Sequence, residues 1–582
     1  MKKIAILFFL FGLSNLIFSQ TETVASKKGI FSGSFESNGQ WYLNDVERKI
    51  AHDSVPLRSN NYLFLKYNYD KWTAGVQVES YLQEALLNYN PKLNGTNLAT
   101  YYANFHDKKI DVTAGYFYEQ FGSGLLLRSF EDRSLGINNA IRGGKIVYSP
   151  IENITLTALY GNHRTGFTVS KSSVLGFNSE INLSSLLKEE KFELSLGFSY
   201  VGRYEKTDIT NTRFNDLTNA FSGRLNFSKN SFYINGEANF KAKDAVLLNI
   251  SNKISDSFVK SGSAYLLNFG YSKKGFGFDT TLRRLENMLF LSERVPEVVG
   301  VERTSLFYND RFMNFLPSLT KQHHSALSNI YVYQAQSQVN IDPSNGIAKA
   351  GEIGGQVDFF YEFKKETSLG GKYGTKISMN GSNWFNLGGT YQVFDVNGDY
   401  VPDYKTNFFE SKQKYYSDYN IEISKKLSPK VNASIAYINQ YYNNRYITGA
   451  ANLLIKTNIL FAETTVKFQK TKAITFGVEH MWADNDRKNW AALSVEYNHN
   501  ANWSIFATDM YNYGYDPEAD LISHDVDSFK IHFYNLGASY KKGSTRVALG
   551  YGRQRGGLVC AGGVCRFVPP STGVSLSIST VF

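Results

Sequence analysis

The sequence predicts an all-β protein: a transmembrane antiparallel β-barrel with an even number of strands, roughly 20 to 26, and long extracellular loops. Three observations predict it. The chain opens with an export leader, repeats a strand, short turn and strand along most of its length, and stops on an aromatic residue after an alternating strand.

In the leader, Lys2 and Lys3 form a positive n-region, and Ile4 to Leu13 is almost wholly apolar. Leu16 to Phe18 extends the run, and Ser19-Gln20 offers a small residue for cleavage. That is the pattern of a secretory signal peptide; the run is short for a membrane span. No Cys follows it, which argues against a lipoprotein. Residues 1–19 are expected to be removed and residues 20–582 to form a single barrel domain. No linker composition divides the chain, which has only 11 prolines in 582 residues. No second long apolar segment follows, so insertion must use strands, because only helices and closed barrels satisfy their backbone in lipid.

Composition agrees. Aromatic residues reach 15%, with 39 Tyr and 43 Phe, which suits aromatic girdles at two membrane interfaces. Mean hydropathy is −0.31. A barrel tolerates this because only every second strand residue faces lipid. Loss of Lys2 and Lys3 with the leader lowers the formal charge from +10 to +8. Interspersed basic charge can meet outer-membrane lipid and lipopolysaccharide. No basic stripe or recognition motif points to nucleic acid.

The strand unit is clear at Leu63 to Glu79. Leu63, Leu65, Tyr67 and Tyr69 alternate with Phe64, Lys66 and Asn68, and Asp70-Lys71 makes the turn. Trp72, Ala74, Val76 and Val78 then alternate with Thr73, Gln77 and Glu79. Period-two alternation is the strand signal. Ten further short turns fall at 106–109, 149–152, 188–191, 228–231, 272–275, 364–368, 428–430, 470–472, 499–502 and 541–544. Longer polar stretches separate these hairpins, for example Leu86 to Ala99, Phe385 to Lys412 and Asn512 to Ser528. Eleven hairpins plus a first strand near Ile30 to Tyr42 and a last near Val574 to Phe582 make 24 strands. Leu327 to Asn340 also reads as a strand and would break parity, so part of 285–352 is misread by alternation alone. In the last strand Val574, Leu576 and Ile578 alternate with Ser575, Ser577 and Ser579 before the terminal Phe582. An aromatic end of this kind resembles the signal by which outer-membrane barrels are handed to the barrel-assembly machinery.

Gly33 to Tyr42, Gly115 to Leu125 and Cys560 to Pro569 together resemble an uncharacterised family of outer-membrane barrel proteins from Bacteroidota. The resemblance is spread over the whole mature chain. It implies location and fold and supplies no activity.

Few residues carry chemistry. Cys560 and Cys565, the only cysteines, are expected to form a disulfide in a surface loop before the final strand. The alternative is a metal or redox pair, but two thiols are too few for a structural zinc site. Asp395, Asn397, Asp399 and Asp403 place oxygens at alternating positions, as in the start of a Ca²⁺ loop. Tyr400 replaces the usual glycine and the twelfth-position Glu is missing, so a polar Asx- and Gly-rich turn on a surface loop is the plainer reading of the same residues. Arg128, Arg133 and Arg142 lie near Glu119, Glu131 and Asp132, as a charged constriction or a salt-bridged loop folded into the barrel mouth. His323 and His324 are adjacent, a poor joint ligand set on a strand. With no GxSxG, HExxH, P-loop or CxxC motif, an enzyme is not expected.

Two functions remain, and the first is favoured over the second because an open pore so wide would compromise the membrane barrier. One is an integral subunit of a larger outer-membrane complex for secretion, barrel assembly or surface-protein handling, with other outer-membrane or surface proteins as partners. The other is a channel or transporter for small solutes. A lumen this wide is usually plugged. Strand-like sequence begins near Ile30, so the plug is expected from loops, notably Leu285 to Leu327, or from a partner.

Overall fold

A computed structural model describes residues 28–51, 55–87, 89–90, 93–189, 191–207, 213–248, 253–295, 311–344, 346–449, 453–514, 530–561 and 564–582. The expected leader, residues 1–19, lies outside the described residues.

Twenty-five strands join one sheet, and the two-residue strand Thr168–Val169 pairs only with Ile154–Thr165. The other 24 form a closed barrel in which every neighbouring pair is antiparallel. The seam pairs the first strand, Ile30–Leu43, with the last, Ser571–Val581, from Ser34↔Val581 to Leu43↔Thr572. Phe582 finishes it: Gly33 N–H donates to the Phe582 carbonyl at 2.8 Å, and Phe582 N–H returns a bond at 2.9 Å. Closure leaves no barrel strand with an unpaired edge, the condition for a sheet in lipid.

All eleven expected turns join neighbouring strands on one rim. Nine connections are two to five residues long; 183–192 carries the helical turn Leu183–Leu186, and 364–374 is an extended loop. The seam ends, Ile30 and Phe582, lie on this same rim. The parity problem resolves at Leu327 to Asn340, which is not a barrel strand. It forms the 3₁₀ turn Leu327–Asn329 and then runs unpaired into the short hairpin Asn340–Asp342 and Ile347–Lys349. Its apolar residues are buried inside the barrel, so the pattern reports interior packing and not a ladder.

Side-chain alternation separates two surfaces. On strand Trp72–Tyr81, Val76 faces out while Gln77 and Glu79 are 4% and 1% exposed. Val112, Tyr160, Phe221, Leu282, Leu493 and Leu549 continue an exposed apolar exterior around the wall. That exterior suits hydrocarbon, and among the described residues no helix is long and apolar enough to cross a membrane.

On the opposite rim most connections are longer, and some strands overshoot. Thr375–Phe394 and Tyr400–Ser428 have 20 and 29 residues, so Phe385 to Lys412, expected as a loop, is mostly an extended hairpin. At about 3.3 Å per residue it reaches well past an apolar band of about 25 Å. Register shifts between Trp384 and Gly389 bend it. Gly389, at φ +132°, permits the close approach there, since a Cβ would lie 2.1 Å from the Lys405 carbonyl oxygen. The hairpin leans against the neighbouring strands, where Phe408 packs edge-on against Tyr265 and Arg284 lies 4.9 Å from its ring centroid.

The Cys560–Cys565 disulfide is present. It crosses the hairpin Gly557–Ala561 and Val564–Val568 in the last long connection. This hairpin is more than a surface loop. Cys565 is buried and its Sγ lies 3.8 Å from the Tyr333 carbonyl oxygen, while Arg566 donates to the Leu135 carbonyl at 2.6 Å. The ring is small, so its gain in loop-closure entropy is modest and local. Non-reducing mass spectrometry of freshly isolated membranes should find no alkylatable thiol at either position. Cys560→Ser should leave the barrel heat-resistant on unboiled gels while raising protease access to residues 557–568. Two free thiols in the native protein would overturn the bond.

Candidate functional site

A ring of 24 strands encloses a lumen too wide for wall side chains to fill. Two connections from the long-loop rim occupy it, residues 118–140 and the described parts of 287–350. The first is two tiny hairpins, Gln120–Phe121 with Leu127–Arg128 and Glu131–Asp132 with Ile137–Asn138. The second docks onto it: Arg128 N–H donates to the Met313 carbonyl at 2.8 Å, and Phe315 N–H to the Gly124 carbonyl at 2.8 Å. Phe121, Leu126, Leu127, Met288, Phe290 and Met313 form an apolar cluster with wall residues Ile141 and Leu285. A second cluster packs Leu327, Ile330 and Tyr333 against Trp384, Tyr416 and Ile438 of the wall. Tyr333 stacks between Trp384 and Tyr416, with centroids 5.9 and 5.1 Å away.

Inward charges hold this plug. Arg283 and Glu352 sit on adjacent strands, Phe276–Glu286 and Gly351–Phe363, with side chains 1% and 0% exposed. Arg283 Nη2 donates to Glu352 Oε1 at 2.6 Å, and its Nη1 donates to the Pro317 carbonyl at 2.6 Å. Glu352 Oε2 accepts from Tyr333 Oη at 2.5 Å and from Gln336 N–H at 2.7 Å. The pair thus grips the plug at three points. Further round the wall, Glu479 caps the 3₁₀ turn by accepting from Ser325 Oγ, Ala326 N–H and Leu327 N–H at 2.5, 2.9 and 3.0 Å. His323 reaches buried Asp418 at 3.0 Å. Burial and the neighbouring Glu352 carboxylate hold the Tyr333 phenol well above its ordinary range, so it stays a donor.

Between plug and wall, near the seam, lies a cavity of 660 Å³. The plug side contributes Lys321, His323 and Asn329; the wall and the disulfide hairpin contribute Asn535, Arg553 and Arg555. A smaller cavity of 260 Å³ lies on the other side of that hairpin, which lines both.

The expected site residues fall as follows. Glu119 pairs with Lys145 at 3.0 Å, Arg133 bridges Glu36 and Glu131, and Arg128 lies 3.8 Å from the Phe315 ring centroid, so this segment is a salt-bridged loop folded into the barrel. Arg142 is exposed on the wall and takes no part. Asp395 Oδ1 accepts from Asn397 N–H and Asp399 N–H, each at 2.9 Å, at the tip of the long hairpin. Asp403 pairs with Lys260. Among the described residues no group of three or more His, Cys, Asp and Glu is arranged to hold a metal ion. Phe582 closes the seam and its ring packs on Gly33. Arg283, Glu352, Asp418 and Glu479 went unread as a set; their one sequence signal is charge at the inward phase of a strand.

Removing Glu352 strands a buried guanidinium. Breaking such a pair costs about 3–5 kcal/mol, or roughly two to three and a half decades in local opening. Glu352→Ala should therefore expose residues 311–344 to protease while the barrel remains heat-modifiable. Unchanged protection would show that the plug does not depend on this grip.

Similar folds occur among solved outer-membrane barrels. The siderophore receptor PirA from Pseudomonas aeruginosa is 8% identical over 96% of this chain and 81% of that one, with a TM-score of 0.39. A BenF-like porin from Pseudomonas fluorescens Pf-5 is 10% identical over 95% and 98%, with a TM-score of 0.34. The translocation pore of the P pilus usher PapC is 7% identical over 95% and 99%, with a TM-score of 0.36. These likenesses carry nothing about activity, and strand number and closure are read from the chain's own hydrogen bonds. No curated protein matches the sequence. The model of a family of unknown function, DUF6029, matches residues 1–582, and the chain belongs to that family.

Proposed function

We propose that this protein is an integral outer-membrane barrel, exported by its N-terminal signal peptide, that admits a small polar solute past a plug made from its own loops. The 660 Å³ cavity between plug and wall carries this reading, because one side belongs to the plug and the other to the barrel. Such a boundary can widen when the plug shifts without the barrel opening. The short-turn rim, with the first and last strand ends, faces the periplasm, and the long connections face outward. Lipid and lipopolysaccharide surround the wall, and the Phe582 strand is what the barrel-assembly machinery receives.

A second reading, a subunit of a larger outer-membrane complex, is favoured by the projecting hairpin. Val396 at its tip is 100% exposed and Phe409 on its flank is 88% exposed. Its strongest sequence motive was the need for something to fill a wide lumen. A plug supplied within the chain removes that need, so the solute reading is preferred.

Two experiments test this. Tags inserted at residues 429–430 should be labelled only after the outer membrane is permeabilised, and tags at 395–399 should be labelled on intact cells; the reverse would overturn the orientation. In proteoliposome swelling with solutes of graded size, the native protein should pass small polar solutes slowly and Glu352→Ala should pass them faster and admit larger ones. If neither protein passes any solute, and gentle extraction recovers a stoichiometric partner lost on deleting the hairpin tip, the subunit reading replaces it.

A further inference from the structure

The 660 Å³ cavity has a marked charge asymmetry. Lys321, His323, Arg553 and Arg555 line it, and among the described residues no Asp or Glu does. Three of the four are held by carboxylates set behind the lining: Lys321 by Glu422 at 3.3 Å, His323 by Asp418 at 3.0 Å, and Arg553 by Asp45 at 2.7 Å and Glu47 at 2.6 Å. Arg555 differs. It is half-buried, just past the end of strand Thr545–Gln554, and among the described residues no carboxylate pairs with it and no acceptor bonds its guanidinium. Among the described residues the charge around it is mixed. Arg487 and Arg48 act on it with like sign, against Asp486, which accepts from Tyr331 Oη at 2.7 Å. Burial and Arg487 push the Arg555 guanidinium down to about 10, so it remains charged at neutral pH. A desolvated, unpaired cation is costly, and a structure that keeps one facing a cavity leaves the counter-charge to a visitor.

Neutral donors complete the lining. The side-chain amides of Gln322, on the plug, and Asn535, on the wall, make no hydrogen bond to another described residue. Guanidinium presents a planar fork that matches a carboxylate or phosphate in bidentate fashion, and free amides suit hydroxyl groups beside it.

We propose that this cavity binds a small hydroxylated organic anion, its oxyanion on Arg555 and its hydroxyls on Gln322 and Asn535. The inference rests on reading the cavity as the solute's place and adds the solute's chemical class. A charge-assisted bidentate contact makes the Arg555 interaction worth about 10- to 100-fold in affinity.

Calorimetry on the purified full-length barrel tests it, with glucuronate for a carboxylate, glucose 6-phosphate for a phosphate and glucose as the neutral control. One or both anions should bind, glucose should bind at least tenfold more weakly, and the tighter anion identifies the preferred oxyanion. Arg555→Gln should weaken the anion by about 10- to 100-fold, and Arg555→Lys should restore part of the loss. Asn535→Asp, which adds a negative charge on the adjacent strand with almost no change in shape, should also abolish binding and serves if Arg555→Gln does not assemble. Binding of glucose as tight as that of the anions, absence of anion binding, or affinity unchanged in both variants would overturn the proposal. The two readings fail separately: anions that bind but do not enter proteoliposomes refute passage and leave the site standing. Equal flux of all three solutes, unaffected by Arg555→Gln, refutes the site and leaves passage standing.

Discussion

The paired charge of Arg283 and Glu352 is the constraint on which the interior depends. A closed wall of 24 strands satisfies its own backbone, but nothing in that closure fills the space inside. The fully buried Arg283–Glu352 pair converts part of the wall into a clamp. Its remaining hydrogen-bonding capacity is met by Pro317, Tyr333 and Gln336, all from the intervening connection. A buried ion pair is weak as a source of stability and strong as a source of specificity when every remaining lone pair and proton has one partner. Here the specificity is positional, since the chain between the two strands must return to the same place in the lumen.

Around that clamp the barrel wall does two unrelated jobs with alternate residues. Outward positions such as Val76, Leu282 and Leu549 meet hydrocarbon; inward positions such as Gln77, Asp418 and Glu479 hold loops. The period of two keeps the jobs independent, so the plug and its cavities can be reshaped without disturbing the lipid face. The same separation explains a polar mean hydropathy in a membrane-spanning chain.

The disulfide hairpin has a different logic. Its small ring adds little global stability, yet Cys565 and Arg566 rest on the two plug segments, at Tyr333 and Leu135. The hairpin thereby forms part of the wall of both cavities, and its rigidity fixes where Arg555, two residues before it, can point.

Strand number, closure and the gathering of the short turns on one rim were legible in the chain by itself, because alternation and short turns are local signals and parity ties them together. Residues such as Val76 and Gln77 declare their faces within one strand. The clasp of Cys560 and Cys565 was legible for a similar reason, since there are only two cysteines. The plug was legible only as a place: residues 285–327 were expected to fill the lumen, but Leu327 to Asn340 imitated a strand, because burial on all sides and burial on one face draw on the same apolar residues. The cavity was not legible at all. Lys321, Asn535 and Arg555 lie more than 200 residues apart at the extremes, and no local pattern marks them. Only closure of the barrel brings the last connection over the plug, and only that arrangement decides which arginine finds a carboxylate and which is left facing open space.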